Sequence, residues 1–481
     1  MLSSFSVIVP AFNCANVVIK TLESISQSIN FFQKNYPHSY TVNAEIVIVD
    51  DASTDNTLSI VHEFADKHTF IQVVSHISNR GAGAARNTGV KNSQGEILFF
   101  CDGDDIYLPE HIYVCFMLLQ GKSANVSSFY LVSDNYHLKI NLAEQPFDVM
   151  RSGVKTQDKI HPYWQEAIEN SLPLNLCVRR ECHEFIEGFF EDDIHRQTKT
   201  EDCAYQALLA KFFTIGNTNL KTVEYIRYPN NAFDKQIAKF QLPPGETKEP
   251  YHINPNLLKQ AYQVEEEHFL YLQRQQYFQK CVFKGYQFSQ DWFSIHISLW
   301  QQVLKNFAHL PNLNFLEIGS WEGRSTCWLL DNILTHASAK ITCIDTFKGN
   351  IEHQSLDEDS LKSLETRFDF NIAQTGAAAQ VEKIVGISQE VLRTLPIDTY
   401  DFLYIDGSHL ASHVLEDVVL GWRLIKVKGI IIFDDYNWPE FPDNLIQHPK
   451  LAIDAFLTVF CDKIQVIHQG YQVIIQKTTS K

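Results

Sequence analysis

Short apolar runs alternate with segments of helical period along the first hundred residues, the pattern of a parallel sheet whose strands are joined by helices. The runs are FSVIV at 5–9, AEIVIV at 44–49, FIQVV at 70–74 and EILFF at 96–100. Between the first two, Val18, Leu22, Ile25 and Ile29 recur at the spacing of one helix face. Thr54 and Asp55 read as the cap of a second helix carrying Leu58 and Val61. The alternation loosens after residue 101 and breaks in QLPPGETKEP at 241–250, a Pro- and turn-rich stretch that reads as a boundary. A Gln- and Glu-rich helical connector follows over 255–285. From residue 313 the pattern resumes with NFLEI (314–318), KITCI (340–344), VEKIV (381–385), YDFLYI (400–405) and GIIIF (429–433). This predicts an α/β protein of two domains, each placing its ligand at the carboxyl ends of its strands.

Composition narrows the picture. At roughly 150 residues per domain, 481 residues suggest about three domains; the strand pattern reduces that to two with a connector. Fifty-seven acidic against 40 basic residues give a net charge of −17, spread over both halves. Phosphate-backbone binding runs on clustered Lys and Arg, so nucleic acid is excluded as the main partner. The ten cysteines lie far apart with no C-x-x-C pair, which predicts a reducing, cytoplasmic setting. No apolar run reaches the roughly 18 residues of a membrane span, leaving peripheral association as the expected limit of membrane contact.

Acids then appear where such sheets hold ligands. VIVDDAST ends its strand in Asp50 and Asp51, and ILFFCDGDD ends its strand in Asp102, Asp104 and Asp105. Carboxylates converging on one edge repel unless a divalent cation or ligand donors compensate them, and alternating acids such as Asp102 and Asp104 suit Mg²⁺ or Mn²⁺ bridged to substrate phosphates. Taken alone, Asp-Gly-Asp-Asp is more often a polar turn. The order VIVPAFN, VDDASTD, NRGAGAARNTGV, FFCDGDD and, downstream, TED at 200–202 resembles the family-2 glycosyltransferases of GT-A fold over roughly 5–235. The resemblance implies that Pro10, Asp50 and Asp51 border the base and ribose of a nucleotide-sugar donor, UDP-linked. It implies that Gly81, Arg86 and Asn87 lie beneath the nucleotide, that Asp102 and Asp104 form the D-x-D metal motif, and that GFFEDD with TED carries acceptor contacts and the base. Asp202 is the expected base, with Glu201 second. Locally these two acids also read as the charged first turn of the helix AYQALLA. The chain departs from the family in lacking Q-x-x-R-W, which disfavours processive synthesis, and IRYPNNAFDK (226–235) matches the family's basic closing segment only loosely.

In the second half FLEIGSWEGRST contains E-x-G-x-x-x-G, with Glu317, Gly319 and Gly323 between a strand and a helix, and Asp345 closes the next strand. Glycines admit close backbone approach, and an acid there suits a ribose diol. YDFLYIDGSH ends in Asp406 and His409, and GIIIFDDY in Asp434 and Asp435. Three carboxylates at adjacent strand ends suggest an oxygen-ligand metal site with His409 within reach as a base; a capping or surface histidine is almost as common. Roughly 285–475 resembles the class I S-adenosylmethionine-dependent methyltransferases, and among them the metal-dependent O-methyltransferases of sugar hydroxyls. The resemblance implies that Asp406, Asp434 and Asp435 hold Mg²⁺, that His409 deprotonates the acceptor, and that Glu317, Gly319, Gly323, Asp345 and Ser388 line the cofactor site. Trp292, Phe293 and Trp300 read as core or lid packing.

The expectation is thus a GT-A domain at 1–245, a helical connector at 246–284 and a Rossmann-like methyltransferase domain at 285–481, transferring a sugar to a glycan or glycolipid and methylating a sugar hydroxyl. The alternatives are one catalytic domain with the other a binding module, or a scaffold for polysaccharide assembly.

Overall fold

The computed structural model describes residues 2–36, 42–122, 127–156, 162–226, 254–349, 358–438 and 444–479. The chain divides into two compact units, Met1–Leu272 and Gln273–Lys481.

In the first unit β1 (Ser4–Ala11), β2 (Asn43–Asp50), β3 (Ile71–Ser75) and β4 (Ile97–Phe100) arise from the four runs named above. Beyond them come β5 (Ile106–Tyr107), β6 (Ser128–Val132), β7 (His137–Asn141), β8 (Val149–Thr156), β9 (Leu176–Arg179) and β10 (Ile215–Tyr225). Eight form one sheet in the order β3-β2-β1-β4-β9-β8-β10-β5, and β6 pairs with β7 as a separate hairpin. β1 is parallel to both β2 and β4, whereas β9 runs antiparallel to β4. β1 is buried almost throughout because helices cover both faces. Its Phe5, Val7 and Val9 enter one core and Ile8 the other, the period-two signature of a strand. The helix Val18–Asn35 buries Val18, Leu22, Ile25 and Ile29, as their spacing predicts. The next helix, Thr57–Ala65, starts one residue past the expected cap: Asn56 holds the cap position while Asp55 accepts from the Thr57 amide at 2.9 Å.

The second unit contains β11 (Asn314–Ile318), β12 (Lys340–Asp345), β13 (Val381–Val385), β14 (Tyr400–Ile405), β15 (Ile425–Phe433), β16 (Ile464–Gln469) and β17 (Val473–Lys477). Their order is β13-β12-β11-β14-β15-β17-β16, with the first five parallel and β17 antiparallel to its neighbours. Phe315, Phe402 and Tyr404 face one core, and Leu316, Leu403 and Ile405 the other. Among the leading parallel strands of each sheet the order reverses between β1 and β4 and between β11 and β14, and the crevice beyond such a reversal is where these sheets bind ligands.

The expected connector contains one long helix, Pro255–Lys284. Its Leu272 joins a core of the first unit, and its Tyr277 and Cys281 join a core of the second. The boundary stretch 241–250 and most of 226–235 lie outside the described residues. Among the described residues no helix is long and apolar enough to cross a membrane. All ten cysteines are unpaired thiols.

Candidate active sites

The first site forms where β1, β2 and β4 end. Pro10 is buried there, and its carbonyl accepts from the Gly103 amide at 3.0 Å, fixing the D-x-D turn to the end of β1. Asp51 turns both oxygens onto the segment Asn79–Gly81: Oδ1 accepts from the Arg80 amide and Oδ2 from the Gly81 amide, each at 2.8 Å. His76 Nδ1 meets the same Oδ1 at 2.7 Å, and its Nε2 meets the Thr88 hydroxyl at 2.9 Å. Asp51 therefore organises this loop. Asp50 uses Oδ2 for the Ser53 amide, while its Oδ1 is buried without a hydrogen-bond partner, an acceptor still open to a ligand hydroxyl.

Arg86, on the helix Ala82–Lys91, lies fully buried between Asp102 and Asp202. Its Nη2 reaches both Asp102 oxygens at 2.8 Å, and its Nη1 reaches Asp202 Oδ1 at 2.5 Å. The structure thus brings the expected base and the expected metal motif onto one guanidinium. Burial pushes Asp202 up to about 7 against the pull of Arg86, with Glu201 and Asp102 adding to the rise. Asp104 is pushed up to about 6 by burial and by Asp102. Glu201 leaves Oε2 buried without a hydrogen-bond partner. In GFFEDD, Glu191 binds Arg80 at 2.6 Å and Asn87 at 2.8 Å, and Asp192 caps the helix Asp193–Thr198.

The second site surrounds a cavity of about 530 Å³ at the carboxyl ends of β11, β12, β14 and β15. Gly319, Asp345, Ser388, Asp406, His409, Asp434 and Asp435 line it. Gly319 has φ of +83°, and a Cβ there would lie 2.0 Å from the Asp406 carbonyl oxygen, so only glycine fits. Asp345 accepts from the Trp321 amide at 2.8 Å and the Phe347 amide at 2.7 Å. Glu317 lies behind the loop, wholly buried, accepting from Ser320, Ser325 and Thr326. Gly323, with φ of +80°, opens the helix Arg324–Asn332. These two residues shape the loop after β11 without lining the cavity. Trp292 stands half exposed at the cavity, while Phe293 and Trp300 pack in the core.

Asp406, His409 and Asp435 offer ligand atoms that all lie within 4.8 Å of one another. His409 Nε2 sits 2.8 Å from Asp435 Oδ2. Asp434 is engaged on both oxygens: Oδ1 takes the Asp435 amide at 2.8 Å, and Oδ2 takes Gln472 at 3.0 Å and the Tyr404 hydroxyl. Burial raises Asp406 well above the usual carboxylate range, with Asp434 and Asp435 adding to it. Burial likewise lifts Asp434 to about 7, Asp435 contributing. Burial pushes Asp435 the same way, but His409 and Tyr471 outweigh it and hold the acid below its ordinary value. Crowded carboxylates of this kind suit a divalent cation, whose charge would relieve them.

Several residues at these sites escape sequence reasoning. His76 follows a strand without any motif. Tyr471 donates to Asp435 Oδ1 at 2.7 Å from a hairpin between two unanticipated strands. Trp438 packs its ring 4.3 Å from that of His409. Gln389 follows Ser388 and lines the cavity, giving its amide to Asp417 at 2.8 Å.

The family model described as Glycosyl transferase family 2 matches residues 6–167, and one described as Methyltransferase domain matches residues 316–436. Chondroitin synthase of Escherichia coli is 28% identical over 144 residues, 30% of this chain and 19% of that protein. An uncharacterized glycosyltransferase of Rickettsia conorii is 28% identical over 243 residues, 50% of this chain and 33% of that protein. An Escherichia coli UDP-Glc:alpha-D-GlcNAc-diphosphoundecaprenol beta-1,3-glucosyltransferase is 30% identical over 132 residues, 27% of this chain and 47% of that protein. The chain spans less than half the length of each of these relatives. Among solved structures, residues 1–349 of S. aureus TarS with UDP-GlcNAc align with a TM-score of 0.37 at 16% identity, covering 80% of this chain and 84% of that one. The chain thus joins a glycosyl transferase family 2 domain, matched over 6–167, to a methyltransferase domain, matched over 316–436, each on its own α/β sheet.

Proposed function

We infer that the chain is a two-site transferase of glycan biosynthesis. Its first unit transfers a sugar, with inversion, from a UDP-linked donor to a glycan or glycolipid acceptor. Its second methylates a sugar hydroxyl with S-adenosylmethionine. The observation that carries this reading is the pair of acidic constellations at the strand-order reversals of the two sheets: Asp50, Asp51, Asp102 and Asp104 inside the first family match, joined by Asp202 beyond it, and Asp406, Asp434 and Asp435 inside the second. The similarity to a UDP-Glc:alpha-D-GlcNAc-diphosphoundecaprenol beta-1,3-glucosyltransferase supports the UDP donor and a lipid-linked acceptor. Unpaired cysteines and a sugar-nucleotide donor together support a cytoplasmic location.

In the first unit the open Oδ1 of Asp50 accepts from a ribose hydroxyl. Asp202 takes the acceptor proton as that oxygen attacks the anomeric carbon. Asp104 of the D-x-D turn would hold Mg²⁺ or Mn²⁺, whose charge would offset that building on the leaving diphosphate. In the second unit Gly319 lets the backbone approach the cofactor, Asp345 accepts from its ribose, and Ser388 adds a polar contact. Asp406 and Asp435, steadied by Asp434, would hold the second cation. His409, paired with Asp435, takes the proton of the sugar hydroxyl.

Substitution separates the two reactions. Asp104→Asn abolishes sugar transfer and spares methylation, and Asp435→Asn does the reverse, both read by mass spectrometry of products formed from UDP-sugars and S-adenosylmethionine. Full activity of either variant in its own reaction removes that site from the account.

A further inference from the structure

Arg86 is 1% exposed, yet its guanidinium lies between two carboxylates of different expected roles. A guanidinium stays protonated, so burying it demands compensating negative charge. Asp102 supplies this by turning both oxygens onto Nη2, and Asp202 supplies it through Oδ1 on Nη1. The Phe189 ring lies 5.1 Å from the guanidinium carbon and itself stacks on Tyr205 at 3.8 Å, so the group is held from its face as well as its edge. Gly83 permits this closeness, since a Cβ there would lie 2.9 Å from the Phe190 carbonyl oxygen. A divalent cation seated on the same Asp102 oxygens would face the buried guanidinium at short range, like charge against like.

We propose that Arg86 is a positioning residue for sugar transfer, fixing Asp202 through one oxygen with Asp102 as its counter-charge, so that the cation falls to Asp104 rather than to Asp102. This rests on the sugar-transfer reading above. Holding Asp202 by Oδ1 leaves Oδ2 to meet the acceptor hydroxyl, and the rigid bridge sets the distance from the base to the metal turn. Arg86 does not itself touch the nucleotide.

The test is Mn²⁺ binding to the full chain in the presence of UDP, followed by electron paramagnetic resonance, with hydrolysis of UDP-glucose, UDP-galactose and UDP-N-acetylglucosamine as the kinetic probe. Asp102→Asn keeps the Mn²⁺ dissociation constant within about threefold of the native chain, whereas Asp104→Asn weakens it more than about tenfold. Arg86→Gln tightens Mn²⁺, because it frees the charge of Asp102, and the double variant Arg86→Gln with Asp102→Asn loses that gain; damage to the fold cannot produce tighter binding. Arg86→Lys lowers kcat about 100-fold at unchanged donor KM. The proposal is overturned if Asp102→Asn loses Mn²⁺ as fully as Asp104→Asn, if Arg86→Gln weakens Mn²⁺, or if Arg86→Lys raises KM at constant kcat. A native chain that binds no Mn²⁺ with UDP, or hydrolyses none of the three donors, sinks the sugar-transfer reading and this proposal with it.

Discussion

Gly319 and Glu317 show how single residues build the loop after β11 from opposite sides. At Gly319 a side chain has no room, and the left-handed backbone disfavours any other residue. Gly319→Ala is expected to destabilise the second unit by about 2–4 kcal/mol and to abolish S-adenosylmethionine binding, read by thermal melting and calorimetry. Glu317 gathers three hydroxyls at the loop base without entering the cavity, so Glu317→Gln should weaken cofactor affinity through disorder of the loop, with a fall in melting temperature. Asp202 carries a pH signature. Its folded value near 7 lies above that of a free carboxyl, and a base works only when deprotonated. Sugar transfer should therefore rise about tenfold per pH unit below 7 and level off above it; a profile flat from pH 5 to 8 would remove Asp202 as the base. The motif acids were legible in the sequence because strand ends expose them. Their division of labour was not, since whether Asp434 faces the cavity or Gln472 depends on packing that a linear pattern does not encode.

At the scale of elements, the central parallel strands were readable because burial on both faces gives them near-continuous apolar runs. Among the later strands β10 escaped because it reads IGNTNLKTVEY, where Asn217, Thr218 and Asn219 stand in succession and no apolar run forms. One contact between elements carries a stability prediction. Asp417, on the helix Ala411–Trp422, is buried and accepts from Gln389 on the short helix Ser388–Val391. Burial raises it to about 7, against the hydrogen bonds of Ser388 and Gln389. A folded value raised above the unfolded one contributes stability that is complete below about pH 4 and is lost as pH rises through 7. Asp417→Asn should thus melt progressively higher than the native chain as pH goes from 5 to 8, by about 2–4 kcal/mol at the upper end. A constant difference across that range would contradict the assignment.

For the whole molecule, the excess of 17 negative charges acquires a local meaning. Part of it lies in two carboxylate clusters, one in each unit, which the proposed function would offset with bound cations. The account requires two independent ligand sites in one chain. Isothermal calorimetry of the full chain, titrated with S-adenosylmethionine and separately with UDP in the presence of Mn²⁺, addresses this most directly. The account expects one site per chain for each ligand, with heats that add when both are present. Heat from only one ligand, or loss of one signal when the other ligand is saturating, would contradict it.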